Sequence, residues 1–279
     1  MRKLLLIIAL LLTACAPIVT QPVLPTPTRP PVTPTVPTAA WADLSPYYAA
    51  MRPEFVHDVD QFTQATRYQI DLAIAPSLTH YTATQQVHYF NTATAPLDAV
   101  YFRLFPNTPS YGGKMTITSL KVNGTEIRPS MELGNSAMRI KMDPPLPVGS
   151  EVDFDLAYVT IVPTASVPGG YELFNYYHGV LAIPNFFPMI PAYDDEGWNV
   201  ELAPGWGDST YSDSALFQVN LTAPSDQVIA TSGACNLAKV LNPSQGYQTL
   251  HCVSGPMRDF MIGMSADYQV ASDTIDGIK

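Results

Sequence analysis

The sequence has little cysteine and little positive charge. Three of its 279 residues are cysteine and only 14 are lysine or arginine, which leaves a net charge of -10. Because such a chain would repel a phosphate backbone rather than neutralise it, the composition argues against nucleic acid as a partner. With 47% hydrophobic residues, the chain is nevertheless able to bury a large core.

Motifs that carry chemistry are also missing. The sequence contains no Gly-x-Ser-x-Gly elbow and no glycine-rich phosphate loop. No histidine is followed by glutamate or by a second histidine four positions on, so the His-Glu-x-x-His zinc signature is absent; the five are His57, His80, His88, His178 and His251. We therefore predict no catalytic residue, no metal ligand and no cofactor in this chain.

The N-terminus has the pattern of a targeting signal. Arg2 and Lys3 precede an apolar run over residues 4–12, which is too short to span a bilayer but suits the core of a signal peptide. The run ends in Leu-Thr-Ala-Cys, with the cysteine at position 15. This resembles the lipobox of bacterial lipoproteins. We predict a signal peptide over residues 1–14, lipid attachment at Cys15 and an extracytoplasmic location in the bacterial envelope.

A spacer and a short helical segment follow. Residues 15–40 are rich in proline and threonine, which predicts an extended spacer that holds the folded part away from the membrane. A ligand for a partner's groove is the alternative. Over residues 41–66, Ser45 followed by Pro46 predicts a helix N-cap, and Pro53 ends that helix near Arg52. Short helices are therefore expected ahead of the main domain, which we assign to residues 67–279.

From Tyr68 onward apolar residues alternate with polar ones. Four segments show this period of two, and an Asn-Gly pair at residues 123 and 124 predicts a hairpin. The pattern predicts an all-β, mainly antiparallel sandwich. Cys235 and Cys252 flank a turn-rich stretch, and we expect a disulfide between the arms of that hairpin. A metal pair is the alternative for the two cysteines.

At residues 183–199, "IPNFFPMIPAYDDEGWN", three acidic residues follow a run of aromatic and proline residues. Three consecutive acids cannot all face one pocket, so the cluster favours a solvated turn over a catalytic pair or a metal site. We expect the run before it to form a packed strand.

Five segments of the chain resemble a known family. They occur in the order found in the N-terminal domain of the aminopeptidase N family of zinc metallopeptidases, and they read "YQIDLAIAPSLTHYTATQQVHYFNTATAPLDAVYFRLFPN", "LPVGSEVDFDLAYV", "FFPMIPAYDDEGWN", "ALFQVNLTAPSDQVIATSG" and "RDFMIGMSADYQV". The resemblance implies a saddle-shaped domain that packs on a catalytic domain. It also implies that the strand and turn around the acids face that domain, which makes Phe187, Tyr193, Asp194, Asp195 and Trp198 the expected interface.

The chain departs from the family in two ways. Zinc and its ligands belong to a catalytic domain that would be expected to start about where this chain ends, at Lys279. The family also uses a Glu or Gln shortly before its Phe-Pro segment to help hold the substrate's amino group. Residues 177–186 contain neither, and Glu172 lies too far back.

Two functions of different classes fit the sequence. The first is a non-catalytic β domain of a lipid-anchored zinc aminopeptidase-like protein, which packs on a catalytic domain and shapes its substrate cleft, with the peptide substrate as a further candidate partner. The second is a complete cell-surface module that binds a peptide, glycan or protein partner without catalysis. Continuation of the reading frame into His-Glu-x-x-His would distinguish them.

Lipid attachment at Cys15 leads to the first testable prediction. The intact protein should partition into the detergent-rich phase of a temperature-induced phase split, because an acylated cysteine carries apolar chains. The Cys15→Ala variant is expected to remain in the aqueous phase. An intact protein with a free thiol at Cys15 that stays wholly aqueous would contradict the anchor.

Overall fold

A computed structural model describes residues 41–165, 173–202, 210–242 and 246–275 of the chain. The predicted signal peptide, Cys15 and the spacer at residues 15–40 lie outside the described residues, as does Glu172. All described residues belong to one unit, Thr38–Lys279.

Strands dominate the described residues. In chain order they are β1 Arg67–Ile74, β2 His80–Phe90, β3 Leu97–Arg103, β4 Lys114–Val122, β5 Thr125–Glu126, β6 Ser130–Glu132, β7 Ala137–Leu146, β8 Glu151–Ile161, β9 Asn175–Tyr177, β10 Val180–Ile183, β11 Tyr193–Asp194, β12 Gly197–Trp198, β13 Leu216–Pro224, β14 Val228–Thr231, β15 Ala234–Asn242, β16 Tyr247–Val253 and β17 Ile262–Ser265. Four short 3₁₀ helices cover Ser45–Ala50, Pro53–Gln61, Phe105–Asn107 and Leu133–Asn135.

The strands form one large sheet and three small ones. The large sheet has eight strands in the order β15-β16-β13-β1-β2-β8-β4-β5, and the small sheets are β14-β17-β10-β9, β3-β7-β6 and β11-β12. All pairs are antiparallel except β1 with β13, which run parallel. The prediction of a mainly antiparallel β fold with short N-terminal helices is confirmed, although the large sheet is mixed.

Alternation along the central strands places one face of the large sheet in the core. Every second residue of β1, from Tyr68 to Ile74, is buried, as are the matching residues of β2, β8 and β13. The opposite face is mostly polar and is covered near one edge by the 3₁₀ helices, where Leu44, Tyr47 and Val59 pack against Leu216. The burial pattern therefore follows the sequence period on which the strands were predicted.

The helical segment differs from its prediction in detail. Ser45 lies inside the first 3₁₀ helix rather than at its N-cap, and the amide of Ser45 donates to the side chain of Asp43 at 2.9 Å. Pro53 begins the second 3₁₀ helix, because a proline needs no amide partner in the first turn of a helix. The predicted N-cap at Ser45 is wrong, since Leu44 occupies the cap position and Ser45 is the first residue of the helix.

Residues 186–190 do not form the predicted strand. They run through the core as an irregular segment. Side chains of the large sheet bond three of its backbone groups, and Met189 pairs with the backbone of Arg103. The Tyr81 hydroxyl donates to the carbonyl of Phe186 at 2.6 Å, and the Gln85 amide donates to the carbonyl of Pro188 at 2.7 Å. Proline cannot donate to a β ladder, so the segment takes its bonds from side chains instead.

Two further hydrogen bonds extend this network. The amide of Ile190 donates to the Tyr68 hydroxyl at 3.0 Å, and the Tyr158 hydroxyl donates to the Gln85 side-chain oxygen at 3.2 Å. Burial raises the pKa of the Tyr68 and Tyr158 hydroxyls well above their ordinary value, so both stay protonated at any physiological pH. Tyr68, Tyr81, Gln85 and Tyr158 thus pair with the segment or with one another.

Both predicted hairpins are present. Asn123 and Gly124 adopt positive φ angles of 47° and 79° between β4 and β5, as a two-residue turn of this type requires. Cys235 and Cys252 lie opposite each other on β15 and β16 and are joined by a disulfide. The two thiols are therefore not a metal pair in this structure.

The buried network around Gln85 gives the second prediction. Replacing Gln85 with Leu keeps the approximate shape but leaves the Pro188 carbonyl and the Tyr158 hydroxyl without partners, so we expect a loss of about 2–4 kcal/mol in the free energy of unfolding. Gln86→Leu is the matched control, because Gln86 points to the other face and bonds the part-exposed Asp155 carboxylate. Its expected cost is below about 1 kcal/mol.

Urea unfolding curves measure both variants through their midpoints at unchanged slope. Equal midpoint shifts for Gln85→Leu and Gln86→Leu would contradict the role assigned to Gln85.

Candidate interaction surface

The acidic cluster forms the tip of a small hairpin. In this hairpin Tyr193 pairs with Trp198 and Asp194 pairs with Gly197, which leaves Asp195 and Glu196 at the turn. Gly197 has a φ of 104°, a conformation that favours glycine. Asp195 and Glu196 are exposed, so their charges are solvated. The three acids point apart and do not form a catalytic pair.

Asp194 holds the hairpin together. One carboxylate oxygen accepts from the amide of Glu196 at 3.0 Å, and the other accepts from the side chain of Asn199 at 2.9 Å. The Asn199 side chain also donates to the carbonyl of Ala192 at 3.1 Å, where the two arms of the hairpin begin. Both oxygens of Asp194 are therefore engaged in local structure, which is an Asx-type use of the side chain.

An aromatic cluster around Trp198 packs against the hairpin. The Trp198 ring lies 5.1 Å from Tyr193, 6.0 Å from Tyr101 and 6.2 Å from Tyr89, measured between ring centres. The indole nitrogen of Trp198 donates to the carbonyl of Ala99 on β3 at 3.0 Å. Tyr193 and Trp198 are both half-buried. Part of this cluster is consequently open to solvent, with the exposed acids at its rim.

Phe187 does not belong to this surface. Its side chain is 0% exposed and packs edge-on against Tyr68 at 5.3 Å and Phe217 at 5.4 Å in the core. The expectation that Phe187 forms part of an interface is therefore corrected, because a fully enclosed ring cannot contact a partner. The other four expected residues, Tyr193, Asp194, Asp195 and Trp198, lie together on the hairpin.

Three further members of the site carry no signal in the sequence. Tyr89 and Tyr101 lie on β2 and β3, far from Trp198 along the chain, and only the tertiary fold brings their rings together. Burial, followed by the nearby Asp213 carboxylate, raises the pKa of Tyr89. Asn199 follows the hairpin directly, but no sequence motif marks it as the partner of Asp194.

A small cavity lies behind the hairpin. Its volume is about 50 Å³, and its lining includes Tyr68, Tyr89, Tyr193, Asp213 and Arg258. A cavity of this size admits a water molecule and is far below the several hundred Å³ of typical ligand pockets. The hairpin is therefore a surface feature and not the lid of a substrate pocket.

The histidines and acids of the described part of the chain are dispersed. Within it, no group of three or more histidine, cysteine, aspartate or glutamate side chains is arranged to hold a metal ion. His88 is buried between the carboxylates of Asp153 and Glu151 and stacks on Trp41. His178 is exposed in the turn between β9 and β10. No helix among the described residues has the length and apolarity to cross a bilayer.

Comparison with known proteins gave matches among solved structures only. No protein-family model and no curated protein matches the chain. The chain is similar to an M1 zinc metallopeptidase from Deinococcus radiodurans, with 17% identity and a TM-score of 0.48 over 72% of this chain and 42% of the enzyme.

Two related structures give similar values. A mutant of the Deinococcus radiodurans enzyme bound to a Tyr-Ser-Ala substrate matches with 17% identity and a TM-score of 0.48, over 72% of this chain and 43% of that one. A two-domain M1 zinc metallopeptidase mutant bound to L-tryptophan matches with 18% identity and a TM-score of 0.49, over 72% and 42%. The chain thus spans less than half the length of these enzymes, and a similarity of this size assigns no activity to it.

The different roles of the adjacent acids give the third prediction. Asp194→Ala removes two hydrogen bonds that close the hairpin, and we expect it to lower the free energy of unfolding by about 1–2 kcal/mol. Asp195→Ala changes an exposed side chain and should alter it by less than about 0.5 kcal/mol. Thermal or urea unfolding measures both, and an equal or larger loss for Asp195→Ala would contradict the assignment.

Proposed function

We propose that this chain is the non-catalytic β domain of a lipid-anchored, extracytoplasmic zinc aminopeptidase-like protein. In this proposal the domain packs on a catalytic domain and shapes its substrate cleft. Zinc and the reacting groups belong to that catalytic domain. The lipid at Cys15 and the proline-rich spacer hold the assembly at the bacterial envelope.

The hairpin surface is the observation that carries the proposal. Tyr193 and Trp198 present half-buried aromatic faces, and Asp195 and Glu196 surround them with solvated charge. Aromatic side chains at the centre and polar side chains at the rim are typical of protein interfaces. Asp194 is already engaged by Glu196 and Asn199, so the acids are better suited to supporting a docking surface than to chemistry.

Three features of the sequence support the same proposal. Five segments resemble the aminopeptidase N family in the family's order, and the span from the first to the last covers nearly all of the folded chain. The chain contains no His-Glu-x-x-His motif. The lipobox and the spacer both suit a protein held outside the cytoplasm. The alternative, a stand-alone binding module, requires none of these family segments.

Activity measurements test the proposal and give the fourth prediction. The chain of 279 residues should release no product from fluorogenic aminoacyl amides, with or without added zinc, because it has no ligand set for the metal. The product of the complete reading frame should hydrolyse these amides and lose activity on chelation. Hydrolysis by the chain alone, or a complete product that lacks a zinc peptidase domain, would contradict the proposal.

Charge reversal on the hairpin tests the docking surface in the complete protein. Asp195→Arg places the opposite charge at the rim. We expect limited proteolysis to cleave the domain junction about tenfold faster, with little change in kcat. Asp58→Arg, an exposed acid on the second 3₁₀ helix, is the matched control and should leave proteolysis unchanged. Equal effects of the two variants would exclude the hairpin as the interface.

A further inference from the structure

A groove of about 750 Å³ lies where the large sheet separates from the β3-β7-β6 sheet. One wall is the outer edge of β4, and the other is the segment from Glu126 to Asn135, which contains β6. This volume falls within the range of ligand-binding clefts. The groove is separate from the hairpin at residues 193–198, which contributes no residue to its lining.

Both walls of the groove carry sheet edges. The two residues of β5 pair only with Lys121 and Val122, so among the described strands none pairs with the outer side of residues 114–120. On the opposite wall β6 pairs with β7 alone, again among the described strands. Exposed sheet edges of this kind offer backbone donors and acceptors to another extended chain.

The ends of the open β4 edge are already occupied. At one end the Asn107 side chain accepts from the amide of Met115 at 2.6 Å and donates to its carbonyl at 3.0 Å, as a neighbouring strand would. At the other end the amide of Ile127 donates to the carbonyl of Leu120 at 3.0 Å. Along a strand, the amide and carbonyl of successive residues point to alternate sides. Those of Ile117 therefore point towards the groove, as those of Met115 do.

Part of the groove lining is apolar. Ile117, Ile127 and Pro129 are half-buried, and Met131 is 40% exposed. Together with the free backbone at Ile117, they form an apolar site beside a hydrogen-bonding edge. This combination is typical of surfaces that take up an extended peptide by strand addition.

The charge of the groove is opposite to that of the whole protein. Its lining contains Lys114 and Arg128 but only one acid, Glu126, whereas the chain carries a net charge of -10. Neither Lys114 nor Arg128 takes part in an ion pair within the described residues. Acidic side chains are therefore the complementary partners for this site.

We propose that this groove binds a short extended segment of a partner protein that carries acidic side chains. The segment adds to β4 at Ile117, places an apolar side chain against Ile127 and Met131, and pairs its acids with Lys114 and Arg128. A second copy of this chain fits less well, because like-charged lysines of two β4 edges would meet. This inference does not rest on the proposed aminopeptidase-like function.

A blocked, fluorescein-labelled peptide of six alternating aspartate and valine residues tests the proposal by fluorescence anisotropy with the full chain. We expect saturable binding that weakens as salt rises, since exposed charges are screened. Lys114→Glu and Arg128→Glu should each weaken binding about tenfold. Arg52→Glu makes the same change in net charge on another element and should leave binding unchanged.

A second peptide separates strand addition from attraction by charge alone. The same sequence with N-methylated valines keeps its side chains but loses amide donors, and it should bind at least about tenfold more weakly. Equal binding of the two peptides, no binding at about 1 mM peptide, or an equal effect of Arg52→Glu would overturn the proposal. Self-association of the chain through β4, detected by sedimentation and abolished by Lys114→Glu, would also overturn it.

Discussion

The irregular buried segment at residues 186–190 needs partners for its backbone groups, and this requirement determines how the rest of the molecule packs around it. The core face of the large sheet supplies the partners, with Tyr81 and Gln85 bonded to carbonyls of the segment and Tyr68 bonded to its last amide. An unpaired buried carbonyl or amide costs about 1–3 kcal/mol, so these side chains fix the path of the segment. Its two phenylalanine rings then complete the aromatic core.

The position of this segment determines where the hairpin lies. Met189 exchanges both backbone hydrogen bonds with Arg103 at the end of β3, at 2.7 and 3.0 Å, and so joins the segment to the β3-β7-β6 sheet. A few residues later the Trp198 indole donates to Ala99 on the same strand. The hairpin is therefore attached to β3 on one side and follows a segment fixed by β1 and β2. Because rigid elements hold this candidate surface, little conformational entropy would be lost on binding a partner there.

Sequence reasoning succeeded where a local pattern carries the information. The period of two identified β1, β2, β8 and β13, and the Asn123-Gly124 pair identified its hairpin, because each depends on neighbouring residues only. The parallel pairing of β1 with β13 was not predicted, since alternation reports which face is buried and not which strand lies alongside. Gln85 is a polar residue on the apolar face of β2. Its role was not predictable, because its partner Pro188 lies about a hundred residues away along the chain. Phe187 was misplaced for the same reason: its burial depends on Tyr68 and Phe217, which are distant along the chain.

The groove beside β4 also follows from the sequence. β4 carries a bulge between Ile117 and Ser119, which bends the strand and increases its twist. The returning chain pairs with β4 only as far as Ile127, and Pro129 then has no amide with which to extend the ladder. The chain must leave β4 at that point, and it joins β7 through β6 instead. The edge of β4 between Met115 and Leu120 is therefore left without a neighbouring strand among the described residues.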